Sequence, residues 1–307
     1  SGTIDMISSL GLAFDQALAF EDKVKAENLP YKVLFQPSTT YEHIDLNLDN
    51  EFLKDVKVRK ALVYAINRDE LTKALFKGRQ EPAIHNVAPI DPLFTKDPKE
   101  IVVYEYSKRK ASQLLDEAGW KLEKDGFRYK GGKKLSLVFM TTAGNKTRET
   151  VQTMLQTQWK AAGVEVVIKN EPARVFFGET TKERKYGAMA MYAWMSTPDT
   201  SAKSTLHSSS IATKANSYSG QNYTGWVNKK VDTALDAFDV EFNKDKRKKL
   251  TYEILKAYTD EVPVIPLYYR SDIAVIPANL QGFKLPGHQY YDTNVAENWN
   301  LEGSKLK

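Results

Sequence analysis

The groups this chain offers to chemistry are few and widely spaced. It has no cysteine, which removes thiol nucleophiles, thiolate metal sites and disulfides together. Its four histidines, His43, His85, His207 and His288, have no partner at i+4 and no acidic cluster at ligand spacing. They are read as core or surface histidines, and neither a metal nor a cofactor is expected. Ser107-Lys-Arg-Lys110 has the S-x-x-K spacing of an acyl-transfer nucleophile, but a serine directly ahead of a helical pattern is explained by capping. AGNKT at 143–147 ends like a phosphate loop, yet the first glycine of that motif would fall on Phe139, so the amide cradle cannot be built in the usual way.

What remains is a loop-rich zone, WMSTPDTSAKSTLHSS from Trp194 onward and NSYSGQNYTGW at 216–226. The second stretch holds three aromatics, three amides and two glycines without helical or strand periodicity. Amides donate and accept at once, aromatic rings supply flat apolar area, and glycine lets a backbone come close to a ligand. Such a mixture suits recognition of a polar, extended molecule. It suits equally well a surface loop packed on its own rings, and the residue types leave both readings open. A peptide hydrolase working from the same loop through Asp199, His207 or Lys203 is the alternative from another class; no nucleophile–base pair is recognisable for it. A third reading is an interaction module whose exposed aromatic loop docks on another protein.

Several elements would position this zone. Ala13–Lys25 is amphipathic, and YKVLFQPS and YEHIDLNL alternate like strands, punctuated by Pro30 and Pro37. Asp55 is expected to cap a helix over VKVRKALVYAI, and Asp69 to start another that ends at Gly78. Residues 79–98 are broken up by proline. Ser107 and Gly119 bracket a helix, Gly131–Gly132 turns a hairpin, and LSLVFMTT, a helix over Thr147–Ala162 and VEVVIKNE follow in strand–helix–strand order. That order predicts a βαβ crossover and an α/β or α+β layer. GAMAMYAW reads as a buried strand, 195–228 as irregular apart from a short helix near Ala202–Ser208, Lys229–Phe242 and Lys244–Asp260 as helices, and VIPLYYR and DIAVIPA as strands.

The totals are consistent with this. At 307 residues the chain can bury roughly 75% of its unfolded surface without a staple. The net charge of +5 arises from 44 basic and 39 acidic residues of alternating sign, a poor match to nucleic acid; KDKRKK at 244–249 is read as a solvated helix face. No apolar run approaches the ~18 residues of a membrane span, and the opening SGTIDMISSLG lacks the basic region of a secretory signal.

Several segments in order, DVKVRKALVYAINRDEL, YSKRKASQLLDEAGW, LSLVFMTT, TVQTMLQTQWKAAGVEV, SGQNYTGWVNKKVD and DEVPVIPLYYR, resemble the C-terminal part of the oligopeptide/dipeptide-type solute-binding proteins of ABC transporters. The resemblance runs from about Gly2 to Phe283. It implies an α/β, periplasmic-binding-protein-like type II lobe, a mixed sheet flanked by helices. It implies a truncated chain: a remnant of the first lobe at 1–45, a complete second ligand-binding lobe at 46–275 and a return segment of the first lobe at 276–307. It also implies a non-enzymatic, periplasmic or extracytoplasmic binding component, expected to be monomeric. That component captures a peptide or related small polar solute between two lobes and hands it to a membrane permease, and a precursor segment absent here would account for the missing signal or a membrane anchor. In relatives an aspartate in a W-x-x-D segment can hold the peptide ammonium group. Here Trp194 is followed by Thr197 at that position, with Asp199 two residues on as a substitute. Tyr218, Gln221, Asn222 and Tyr223 are expected to line the cleft, with Trp194 as an apolar platform.

Overall fold

The computed structural model describes residues 4–9, 11–288 and 291–302; the outermost parts of the 1–45 and 276–307 segments lie outside them. β1 (Ile7–Ser9) and α1 (Phe14–Glu27) lead into β2 (Tyr31–Leu46). α2 (Val56–Tyr64), α3 (Arg68–Phe76) and α4 (Lys108–Glu117) follow, then the small hairpin strands β3 (Lys121–Leu122), β4 (Arg128–Lys130) and β5 (Lys133–Lys134). The crossover expected from the sequence is β6 (Ser136–Met140), α5 (Lys146–Lys160) and β7 (Glu165–Ile168), with β6 and β7 parallel. α6 (Ala173–Val175) runs into a wide turn at Phe176–Thr181, β8 (Met189–Trp194) ends at the loop zone, and α7 (Lys203–Leu206) is the short helix within it. α8 (Lys229–Val240), α9 (Lys244–Glu261) and β9 (Val264–Pro277) complete the main body.

Six strands form one mixed sheet in the order β1-β9-β2-β8-β6-β7, with β2 antiparallel to both β8 and β9. The two strands expected on either side of Pro37 are a single strand, and so are VIPLYYR and DIAVIPA. A proline can stay in β2 because the pairing with β9 shifts register between Pro37 and Tyr41, where the ladder does not need every N–H. One face of the sheet buries the largest core, in which Ile44, Leu46, Phe139, Met189 and Met191 meet α2, α3 and α5. Trp159 of α5 is fully buried there, and its indole N–H donates to the Leu62 carbonyl of α2 at 2.9 Å. The other face carries α8 and α9, joined through Val231, Leu235, Ile254 and Tyr258.

Local signals behave as their chemistry requires, with one correction. Ser107 Oγ accepts from the Lys110 amide at 3.2 Å, which accounts for the S-x-x-K match by capping alone. Gly131 and Gly132 both have positive φ, 57° and 76°, as the two-residue turn between β4 and β5 demands. At the phosphate-loop look-alike, Asn145 caps α5 and the Gly144 N–H donates to Glu149 Oε1 at 2.8 Å, so those amides are already occupied. The correction concerns α3: Asn67, not Asp69, is its cap, because the Asn67 side chain accepts from the Glu70 amide.

Candidate functional site

Strand alternation sets Tyr41, His43 and Asp45 on one face of β2 and Ile44 and Leu46 on the other. Across the ladder Tyr41 pairs with Trp194, and His43 with Tyr192. The polar face is buried: His43 stacks on Tyr41 with ring centroids 4.7 Å apart, and the Tyr192 hydroxyl donates to Asp45 Oδ2. The Asp45 carboxylate lies among tyrosines, and burial together with its charge holds the Tyr41 and Tyr192 phenols well above their ordinary range. These groups are therefore neutral donors that fix the rings. They brace the end of β8, where Trp194 emerges.

Trp194 is half-buried, stacks nearly parallel on Tyr223 (centroids 6.3 Å apart, 19°) and meets the edge of Tyr192 at 5.5 Å. Its remaining surface lines a cavity of about 390 Å³. Tyr41 forms the sheet side, Asp91 and Leu93 come from the proline-broken loop, Thr197 and Thr200 from the loop after β8, and Leu235, Phe238 and Leu255 from α8 and α9. An aromatic wall, an apolar end and a rim of hydroxyl and amide groups line the cavity, a mixture suited to a polar molecule with an apolar portion.

The residues expected to read a ligand divide. Trp194, Thr197 and Gln221 do line the cavity. Tyr223 stands behind Trp194 as its stacking partner, and its backbone carbonyl accepts from Arg184 Nε and the Tyr186 hydroxyl. Asn222 is a correction: it is fully buried, its amide donates to the carbonyls of Leu206, His207 and Trp226, and its Oδ1 accepts from Thr224 and Gly225. No donor or acceptor is left for a ligand. Tyr218 lies outside this cavity, in a left-handed turn (φ 55°) that hydrogen-bonds back to Thr213. The Asp199 carboxylate binds Arg247 Nε at 3.0 Å and its carbonyl accepts from the same guanidinium, which ties this residue to α9 beside the cavity. The 216–226 stretch is thus mostly a packed loop that presents one residue, Gln221, to the cavity. Gly220 is required there, since a Cβ would lie 1.9 Å from the Ser210 carbonyl oxygen.

Sequence reasoning missed Tyr41 and Asp91. Tyr41 is legible as the first member of an aromatic and polar series on one strand face. Asp91 has no local signal, because in sequence it is a turn residue ahead of a proline.

Residues 1–215 match the profile described as bacterial extracellular solute-binding proteins, family 5 Middle. The chain belongs to family 5 of the bacterial extracellular solute-binding proteins. Within that family it is 32% identical over 291 residues to the oligopeptide-binding protein AppA of Bacillus subtilis (strain 168), covering 93% of this chain and 51% of the relative. Among solved structures, the oligopeptide-binding protein of Thermus thermophilus complexed with a pentapeptide superposes with a TM-score of 0.81 at 31% identity, covering 92% of this chain and 50% of that one. NikZ of Campylobacter jejuni in complex with Ni(L-His) superposes with a TM-score of 0.80 at 28% identity, covering 97% and 57%. The chain thus spans about half the length of the relatives it matches. Its mixed sheet flanked by helices is the type II binding-protein architecture of these neighbours.

Proposed function

We propose that this chain supplies one wall of the ligand cleft in an extracytoplasmic peptide-binding protein, which captures peptides between two lobes and passes them to an ABC permease in the membrane. The observation that carries this reading is the cavity at the end of β8, with Trp194 held between Tyr223 and Tyr192 and facing Gln221 and Thr197. Relatives named for oligopeptide and dipeptide binding, and a neighbour solved with a pentapeptide, support it. In the proposed division, 46–275 is the ligand-binding lobe, while 1–45 and 276–307 belong to the other lobe. The small apolar cluster of Ala274, Ile276 and Leu285, with Met6 and Leu34 against it, is separate from the main core, whereas Phe14, Ala17 and Leu18 of α1 pack within the main core. β2 and β9 would be the paired strands that pass between the lobes. Delivery to a permease needs no reaction at the site, only capture and release.

The hydrolase alternative finds no support in the loop. Lys203 is paired with Asp236, Asp199 with Arg247, and His207 Nδ1, which accepts the Ser209 amide at 3.0 Å and lies 2.7 Å from the Oγ of the same serine, sits in a local cap outside the cavity lining.

Trp194 provides the test. Isothermal titration of the protein in its full natural length with a mixture of short peptides should show binding without cleavage, and Trp194→Ala should weaken it about tenfold or more, as loss of a buried aromatic anchor does. Binding unchanged in Trp194→Ala, or products of peptide cleavage, would contradict the reading.

A further inference from the structure

Among the described residues Arg59, Arg68 and Arg128 are buried arginines, and they are not served alike. Arg59 donates to four backbone carbonyls, those of Glu261, Val262, Leu53 and Lys54. Arg128 donates to the carbonyls of Ala162 and Trp120 and to the Asp116 carboxylate. Arg68, the first residue of α3, is 9% exposed and makes one such bond, from Nε to the Pro266 carbonyl at 2.8 Å. Among the described residues neither of its Nη groups has an acceptor. Burial lowers its guanidinium to about 10, so it stays charged at neutral pH, and Asp69, next in sequence, is exposed and acts on it only through space. Arg68 lines a second cavity, of about 20 Å³, whose other polar side chains are Tyr104, Tyr258 and Thr259 and whose lining includes no carboxylate. The Tyr104 hydroxyl donates to the Thr259 carbonyl, and the Thr259 hydroxyl donates to the Leu255 carbonyl. The Tyr258 hydroxyl makes no hydrogen bond within the chain, although the Tyr41 phenol stands near it. The cavity thus presents a positive charge and unused donors, in a space that holds one small particle, since ~10–15 Å³ suffices for a water.

We propose that this second cavity is a binding site for a single monatomic anion of the chloride type, held by the Arg68 guanidinium with the Tyr258 hydroxyl beside it. A buried charge without a partner is costly, and an anion removes that deficit, whereas a water occupies some of the N–H groups and leaves the charge unbalanced. The volume excludes phosphate, sulfate and carboxylates. No lining residue is shared with the ligand cavity, so the site does not depend on what that cavity takes. An anion there would tie the start of α3 to the end of α9 and the start of β9 through Arg68, Tyr258 and Val264. Tyr258 lies one turn beyond Ile254 and Leu255 of α9, which line the ligand cavity, so an occupied site braces that wall from behind.

The test is thermal unfolding of the full-length natural protein while sodium chloride replaces sodium gluconate at constant ionic strength, gluconate being too large for the cavity. The expected result is a midpoint raised by about 2–4 °C, on a curve that saturates as one site does. Bromide should substitute for chloride, and a crystal soaked in it should show an anomalous peak against the Arg68 guanidinium. Arg68→Met, which deletes the charge and keeps an apolar stem, should lose the chloride-dependent shift. A midpoint that does not respond to chloride, one that rises linearly with it, or a shift that survives in Arg68→Met would overturn the site. So would a bromide-soaked crystal with only a water in the cavity. The bromide experiment uses the wild type alone and decides the matter even where Arg68→Met does not fold.

Discussion

Asn222→Ala is expected to cost about 3 kcal/mol of stability and to loosen the loop that carries Gln221 and Tyr223. The reason is the number of groups one side chain satisfies. Its amide nitrogen serves the carbonyls of Leu206, His207 and Trp226 at 3.3, 3.2 and 2.9 Å, and its oxygen takes the Thr224 hydroxyl at 2.9 Å and the Gly225 amide at 3.1 Å. All of this lies in a site closed to water, where an abandoned polar group costs ~1–3 kcal/mol. Water could enter the cavity left by alanine and recover part of the loss, which holds the expected value to about the upper limit for one abandoned group although five bonds are lost. The same bonds tie the end of α7 to the turn before α8, so the damage should be local as well as global. A shift in urea midpoint together with faster amide exchange at residues 206–226 checks it. A change under ~1 kcal/mol with unchanged exchange would mean that Asn222 is not what closes the loop.

The second large effect concerns β2. Glu42 is only 2% exposed and is bound by Arg148 Nε of α5, while the Arg270 guanidinium stands farther off at 4.0 Å. Arg148 also donates to Thr142 Oγ1 at 3.1 Å. Arg148→Met keeps much of the stem and deletes the charge, leaving a buried carboxylate with one distant counter-ion, and the expected cost is ~3–5 kcal/mol. Removing both charges with Arg148→Met and Glu42→Leu should recover most of that, because the penalty belongs to the orphaned carboxylate and not to the absence of the pair. Equilibrium unfolding of the two single variants and the double variant makes this a thermodynamic cycle. If the double variant were as unstable as Arg148→Met, packing of the arginine stem and not its charge would be what holds α5 to β2.

Much of the fold can be read from local pattern. Ser107, Asp55 and Gly119 mark helix ends because their short-range hydrogen bonds and φ angles are local properties, and the β6–α5–β7 crossover follows from element order. The division of β2 and β9 into four expected strands has a nonlocal cause. In β2 a proline within an alternating run reads as a break, and only the partner strand shows that the ladder shifts register there and continues; in β9 the two expected strands meet at Ser271, which pairs with Pro37. The site divides in the same way. Trp194 is visible as an aromatic at the end of a buried strand, and it lines the cavity. Whether an amide such as Asn222 turns outward to a ligand or inward to carbonyls depends on where residues 206, 207 and 226 lie, which its own neighbours do not encode. Asp199 carries the right charge at nearly the right place in sequence, but Arg247 of α9 claims it. Asp91 lies far from Asp199 in sequence and meets it only after folding.

The measurement that bears most directly on the central claim is native mass spectrometry of the full-length natural protein, purified without refolding, with its intact mass compared against its denatured mass. The expected result is an excess in the native mass that fragments as peptides. Equal native and denatured masses, followed by no uptake from a supplied peptide mixture, would contradict it and leave the family assignment as a statement about fold alone.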